Sequence, residues 1–151
     1  MRQLEARKQL IFVADDDRMI LDLIVTRLQL AGYLTAHARS GYEAIHGIAE
    51  IRPAGVILDV NMPGLDGFSV LKQLKQTPQT ASIPVMMLTA RNAPDDVQKA
   101  IGLGARDFLA KPFSDTQLLS RVARLVRPVR PRPVTPPPGP TPKPSGGEVL
   151  L

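Results

Sequence analysis

The sequence predicts an α/β protein, in which a five-stranded parallel sheet carries helices on both faces in a doubly wound sandwich. Short apolar runs of strand length recur along the chain, and each is followed by apolar residues at helical spacing. Strand and helix thus alternate five times, and such alternation implies right-handed crossovers between parallel strands. With 151 residues the chain is long enough for one such domain with a buried core.

The first two strand–helix pairs occupy residues 10 to 51. A wholly apolar run from Leu10 to Ala14 is the first predicted strand, and three aspartates follow it. Asp16 or Asp17 can cap the next helix, which ends before Gly32. Its predicted apolar face consists of Ile20, Leu23, Ile24 and Leu28. Residues 33 to 38 alternate like a second strand, and a short helix spans residues 42 to 51.

The remaining pairs follow the same plan. The third strand rises through Val56, Ile57 and Leu58 to the carboxylate of Asp59, and the helix after it stops before Pro78. The fourth strand, residues 84 to 88, ends at Thr89, and a weaker helix spans residues 94 to 101. The fifth strand, residues 107 to 110, ends at Lys111, and Ser114 caps the last helix.

Charge and composition exclude several classes of protein. The formal net charge is +5, but residues 10 to 126 carry 12 basic and 12 acidic side chains, so no basic face for nucleic acid is predicted. The absence of cysteine excludes disulfides and thiolate metal sites. No apolar run approaches the roughly 20 residues that span a bilayer, and the first residues do not resemble a signal peptide. We therefore expect a cytoplasmic protein that contacts neither nucleic acid nor membrane.

The chain divides into three parts by composition. Residues 1–9 form a basic extension, residues 10–126 form the α/β domain, and residues 127–151 form a Pro-rich linker or tail. Nine of the 15 prolines fall in this last part. A segment of that composition cannot bury a core, so we expect an extended spacer.

Polar side chains stand where the predicted strands end. The carboxyl ends of parallel strands share one edge of the sheet, so these residues should converge: Asp15, Asp16, Asp59, Thr89 and Lys111. Clustered carboxylates need a cation among them, and an all-oxygen site suits Mg²⁺. A hydroxyl and an ammonium beside them can bind phosphoryl oxygens, and a carboxylate can itself be the nucleophile.

Four motifs in order resemble the receiver domain of bacterial two-component response regulators, which has the flavodoxin-like fold of the chemotaxis regulator CheY. They are V-A-D-D-D at 13 to 17, L-D-V-N-M-P-G-L-D-G at 58 to 67, L-T-A at 88 to 90, and G-A-R-D-F-L-A-K-P-F at 104 to 113. The resemblance covers about residues 10 to 126 and excludes the tail.

The resemblance implies a role for each site residue. Asp59 would accept a phosphoryl group from a kinase phosphohistidine. Asp16 would bind Mg²⁺ directly, Asp15 would act mainly through water, and the backbone carbonyl of Asn61 would complete the metal shell. Thr89 would be the switch hydroxyl, and Lys111 would pair with the phosphoryl group across an expected cis bond to Pro112.

The resemblance also implies a switch and its partners. Phe108 falls at the aromatic switch position, and Arg91 would border the site. Phosphorylation would reshape the surface of the fourth helix, fifth strand and fifth helix. The donor would be a sensor histidine kinase or a phosphotransfer protein, and an output domain or a partner protein would bind that surface. A homodimer is a further expected partner arrangement. Such a protein is not a turnover enzyme, since it catalyses only its own phosphotransfer and dephosphorylation.

Two alternatives remain beside this interpretation. A Mg²⁺-dependent phosphohydrolase of the haloacid dehalogenase type also uses an aspartate nucleophile, within a D-x-D-x-T motif. Asp15 to Asp17 offers D-x-D, but Met19 stands where the threonine belongs. The second alternative is a receiver-like module that binds partners without phosphorylation, although none of the expected site residues is missing.

Overall fold

The computed structural model describes residues 8–90 and 93–127. Most of the predicted basic extension, Arg91, and the predicted tail beyond Arg127 lie outside the described residues. The five strands are β1 (Leu10–Ala14), β2 (Leu34–Ala38), β3 (Gly55–Asp59), β4 (Val85–Ala90) and β5 (Asp107–Lys111). The five helices are α1 (Arg18–Leu30), α2 (Gly41–Ile51), α3 (Gly67–Gln76), α4 (Pro94–Gly102) and α5 (Asp115–Leu125).

The strands form one parallel sheet in the order β2-β1-β3-β4-β5. Side chains of successive strand residues point to opposite faces, so Met87 packs into one apolar cluster and Met86 into the other. The first cluster lies under α2, α3 and α4, and the second lies under α1 and α5. This arrangement confirms the predicted doubly wound α/β sandwich.

The buried face of α1 differs from the prediction. Leu21, Ile24 and Leu28 are buried, whereas Leu23 is 39% exposed, so its assignment to the core face was wrong. The spacing of Leu21, Ile24 and Leu28 is itself helical, and the sheet selects this face over the neighbouring one that includes Leu23. Both faces carry apolar residues, so periodicity alone does not separate them.

Side-chain caps fix where two helices begin. Asp17 accepts hydrogen bonds from the backbone N–H groups of Met19 and Ile20 at 3.0 and 3.3 Å and thereby caps α1. Ser114 and Gln117 form a reciprocal capping box at the start of α5. Among the residues that the structure describes, no helix is long and apolar enough to span a membrane.

The start of α3 lies directly against the end of β3. A Cβ atom at Gly67 would collide with the carbonyl oxygen of Asp59, and the Gly67 N–H donates to the carbonyl of Val60 at 2.9 Å. Only glycine permits this approach of two backbones. The connection from Asp59 to Gly67 therefore starts and ends at the same place, where the backbone of Gly67 packs against that of Asp59 and Val60.

We predict that Gly67→Ala destabilises the domain by about 2 kcal/mol, because its methyl group must displace the backbone of β3. Gly102→Ala is the matched control, since no atom lies within 4 Å of a Cβ placed there. The control should be neutral or should gain up to about 1 kcal/mol from its helical position. Urea unfolding followed by circular dichroism measures both, and equal stabilities of the two variants would contradict the close approach.

Candidate functional site

The predicted site residues meet at the carboxyl edge of the sheet. Asp15 and Asp16 follow β1 and Asp59 ends β3, and one carboxylate oxygen from each of the three lies within 4.8 Å of the others. Asp15 and Asp59 are buried, whereas Asp16 is exposed. The cluster therefore has a closed, protein-lined side and a side open to solvent.

Lys111 places one positive charge beside this cluster. Its ammonium lies 3.0 Å from Oδ2 of Asp15 and 3.3 Å from Oδ1 of Asp59. Burial lowers the pKa of Lys111, but the two carboxylates outweigh burial and raise that pKa above its ordinary value. The side chain is therefore a permanent ammonium shared by two buried acids.

Asp59 has an unusual acidity in this setting. Burial and the neighbouring carboxylate of Asp15 raise the pKa of Asp59 to about 6, although Lys111 acts in the opposite direction. The backbone N–H of Asn61 donates to its Oδ1 over a long 3.4 Å. One ammonium does not fully compensate two buried carboxylates, so the site favours a further cation.

The donor set fits a hard divalent metal ion. Oδ1 of Asp15 accepts the backbone N–H of Asp17 at 2.9 Å, while the buried Oδ2 receives no hydrogen bond of good geometry from the described residues. Its close neighbour is the Lys111 ammonium. A buried, incompletely satisfied carboxylate oxygen beside two further carboxylates suits a cation that prefers oxygen ligands.

Strand register places Thr89 beside the cluster. Asp59 pairs with Leu88 across β3 and β4, and Thr89 is the next residue of β4. Thr89 in turn pairs with Ala110 of β5, directly before Lys111. Its side chain is buried, with 2% exposure. β4 and β5 extend further than the sequence predicted, so Thr89 and Lys111 are held by the ladder and do not lie in loops.

Asn61 follows β3 as an exposed residue, and its role as a carbonyl ligand stays a prediction. The Lys111–Pro112 bond is cis, as the resemblance implied. Asp17 lies outside the acidic cluster, because its side chain caps α1, and Met19 is 81% exposed. The D-x-D pair of the phosphohydrolase alternative is therefore not assembled here: the neighbours Asp15 and Asp16 join Asp59.

Two arginines contact the site or its surroundings and were missed by sequence reasoning. Arg121 of α5 donates to the carbonyl of Phe108 at 3.0 Å and to Asp107 at 2.8 Å, with its guanidinium carbon 6.0 Å from the centre of the partly buried Phe108 ring. Arg39 after β2 donates to the carbonyl of Asp16 at 3.3 Å. Neither contact follows from sequence spacing, since each joins distant parts of the chain.

Known proteins are similar to this chain in fold and in sequence. The chain is 39% identical over 121 residues to the response regulator MprA of Mycobacterium avium, a match that covers 80% of this chain and 52% of that protein. Among solved structures, chemotaxis protein CheY4 of Vibrio cholerae is 32% identical with a TM-score of 0.75, covering 79% of this chain and 99% of CheY4. The fold and site thus define a CheY-like α/β domain.

The family follows from a direct match. The model of the response regulator receiver domain matches residues 11–123, and the chain belongs to that family. The receiver domain of a sensor histidine kinase from Pseudomonas aeruginosa, solved with a magnesium ion coordinated in its active-site cleft, is 25% identical with a TM-score of 0.74, covering 80% of this chain and 98% of that one. The chain spans about half the length of the curated relatives it matches.

We predict that Asp59→Asn stabilises the metal-free protein, and that its advantage grows with pH. The pKa of Asp59 is raised from 3.8 to about 6 in the folded protein, so the folded state holds this proton more tightly than the unfolded state does. The wild type therefore loses folding stability as pH rises from 3.8 through 6, whereas the variant has no carboxyl group to ionise there. Between pH 4.5 and 7.5 the advantage of the variant should grow by about 1 to 2 kcal/mol.

Urea unfolding in EDTA across this pH range measures the difference between the variant and the wild type. The difference at pH 4.5 is the internal control, because there most Asp59 carboxyl groups are protonated when folded. A difference that stays constant with pH would contradict the raised pKa.

Proposed function

We propose that the chain is the phosphoacceptor switch of a two-component phosphorelay, with Asp59 as the residue that is modified. The observation that supports this most strongly is the Asp59 carboxylate at the sheet edge, 3.3 Å from the Lys111 ammonium and clustered with Asp15 and Asp16. The phosphoryl donor is a sensor histidine kinase or a phosphotransfer protein, in keeping with the family. The compartment that suits this role is the cytoplasm.

The metal of the proposed function is Mg²⁺. The carboxylates of Asp15, Asp16 and Asp59 and the carbonyl of Asn61 would hold it, and the magnesium ion in the related receiver domain from Pseudomonas aeruginosa supports this assignment. When bound, Mg²⁺ offsets the charge of the carboxylates and of the incoming phosphoryl oxygens. Its charge would also counteract the burial and the repulsion from Asp15 that raise the pKa of Asp59.

The protein residues carry out the transfer by position and charge. A carboxylate oxygen of Asp59 forms a bond to phosphorus while the P–N bond of the donor phosphohistidine breaks, and the electron pair stays with the departing imidazole. Lys111 exchanges its contact with Asp59 for one with a phosphoryl oxygen, and the Thr89 hydroxyl donates to another. The buried wall behind Asp59 leaves the solvent side as the approach for the donor.

The output of the switch is a change in the surface of α4, β5 and α5. Thr89 moving towards the phosphoryl group vacates space into which the ring of Phe108 can turn. Met87 and Phe108 pair three rungs before Ala90 and Lys111 on the ladder of β4 and β5, so the site and the ring share one structural element. A local change of charge thereby biases a two-state element.

The proposed domain organisation leaves the output to a further element. Residues 10–126 are the receiver domain, preceded by a basic extension over 1–9 and followed by a linker over 127–151. The curated relatives are about twice as long as the matched segment, which supports an output domain as the responding partner. A partner protein or a homodimer through α4, β5 and α5 would use the same surface.

We predict that acetyl phosphate with Mg²⁺ adds about 80 Da to the intact protein, the mass of one phosphoryl group. Asp59→Asn should abolish the addition, because the nucleophilic oxygen is replaced by an amide. Asp17→Asn is the matched control: it makes the same chemical change at a neighbouring aspartate outside the cluster, and asparagine caps a helix equally well. Intact-mass spectrometry reads all three proteins.

Removal of Mg²⁺ with EDTA should suppress the addition in the wild type. An unchanged wild-type mass would contradict the proposal, as would equal labelling of Asp59→Asn. Sustained release of phosphate over many turnovers from phosphate monoesters would favour the phosphohydrolase alternative instead.

A further inference from the structure

Arg39 connects the end of the edge strand β2 to the acidic loop after β1. Its Nη2 donates to the backbone carbonyl of Asp16 at 3.3 Å, across 23 positions of sequence. Directly before it, the carbonyl of Ala38 accepts the backbone N–H of Asp15 at 3.2 Å. Two successive residues of one strand end thus hold the peptide groups of two successive aspartates.

The N-terminus of α2 holds Arg39 in turn. The backbone N–H of Arg39 donates to Oε1 of Glu43 at 3.2 Å, and the N–H of Glu43 donates to the hydroxyl of Ser40, the N-cap of α2, at 3.2 Å. Glu43 in the first turn of α2 is thus bonded both to the N-cap residue Ser40 and to Arg39 before it. The guanidinium therefore extends towards Asp16 from a backbone that is itself tied to a helix.

The position of the Asp16 carboxylate depends on the backbone more than the positions of the Asp15 and Asp59 carboxylates do. Asp15 and Asp59 are buried, and each contacts the ammonium of Lys111. Asp16 is exposed, and in residues 8–90 and 93–127 no side chain or N–H group bonds to its carboxylate. The backbone of Asp16 is therefore the part of this residue that the fold holds, and Arg39 bonds to its carbonyl oxygen.

We propose that Arg39 is a positioning residue that holds Asp16 in the orientation needed to bind the metal ion. The inference rests on the proposed function, in which Asp16 is a Mg²⁺ ligand. Arg39 acts through the Asp16 carbonyl and does not itself touch the metal or the phosphoryl group. It also gives the short element between β2 and α2 a role in the site, although all the motif residues come from other strands.

Position and charge act in opposite directions at Arg39. A fixed positive charge near a divalent cation weakens cation binding, so removing that charge alone should tighten Mg²⁺ binding by about two- to threefold at low salt. Loss of an outer contact that orients a ligand weakens binding, and for an exposed contact we expect roughly three- to tenfold. The sign of the change in affinity therefore separates the two roles.

The test is isothermal titration of the metal-free protein with MgCl₂, for the wild type, Arg39→Ala, Arg39→Lys and Arg18→Ala. Arg18 also carries an exposed positive charge beside the aspartates in sequence, and within the described residues its side chain makes no hydrogen bond or ion pair. Arg18→Ala thus measures the effect of charge without the contact. Thermal unfolding in EDTA confirms that all four proteins are folded to the same extent.

We expect Arg39→Ala to bind Mg²⁺ roughly three- to tenfold more weakly than the wild type. The deficit should persist in 0.5 M salt, where charge effects are largely screened. Arg39→Lys should recover only part of the affinity, because a single ammonium keeps the charge but not the planar donor fork. At saturating Mg²⁺, acetyl phosphate should label Arg39→Ala at nearly the wild-type rate, because only the affinity for the metal ion is reduced.

Tighter Mg²⁺ binding by Arg39→Ala, matching Arg18→Ala and vanishing in high salt, would overturn the inference, and so would unchanged binding. Those outcomes leave the proposed function intact, since the wild type still binds Mg²⁺. A wild type with no saturable Mg²⁺ binding would instead contradict the proposed function itself, and the inference would fall with it.

Discussion

Two buried carboxylates share one ammonium at the carboxyl edge of the sheet, and this incomplete compensation governs the rest of the site. Asp15 and Asp59 both lie within contact distance of Lys111, and burial together with repulsion from Asp15 raises the pKa of Asp59 to about 6. Only a rigid scaffold keeps such groups together. The parallel ladder provides it, because Asp15 follows β1 and Asp59 ends β3, two neighbouring strands that are buried almost throughout, while Lys111 ends β5 at the edge of the same sheet.

The ladder of β4 and β5 brings three kinds of side chain together within four consecutive residue pairs. Met87 pairs with Phe108, Thr89 with Ala110 and Ala90 with Lys111, so ring, hydroxyl and ammonium lie within four residues on either strand. An event at Asp59 therefore needs no long path to reach the surface of α5. Arg121 completes this arrangement, since it bonds to the carbonyl of Phe108 from the helix that covers it.

Sequence patterns predicted the sheet and the convergence of Asp15, Asp16, Asp59, Thr89 and Lys111, because strand alternation dictates parallel pairing and parallel strands end at one edge. They predicted the core face of α1 incorrectly, since Leu23 and Leu21 both satisfy a helical period and only packing distinguishes them. They could not reveal Arg39 or Arg121. Neither arginine belongs to a buried apolar face, so neither carries a periodic signal, and the partner of each is determined by which elements lie close together in the folded chain.

The close contact between Gly67 and the carbonyl of Asp59 limits how this domain can change. The connection between β3 and α3 cannot easily change its length, because Gly67 at its far end packs against the backbone of Asp59 at its start. Exposed residues on the outer sides of the helices do not contact this connection. Substitutions there can therefore change which partner binds without disturbing the site. The length of the Asp59–Gly67 connection cannot vary in the same way. We therefore expect an insertion or a deletion in this connection to displace Asp59 from the site.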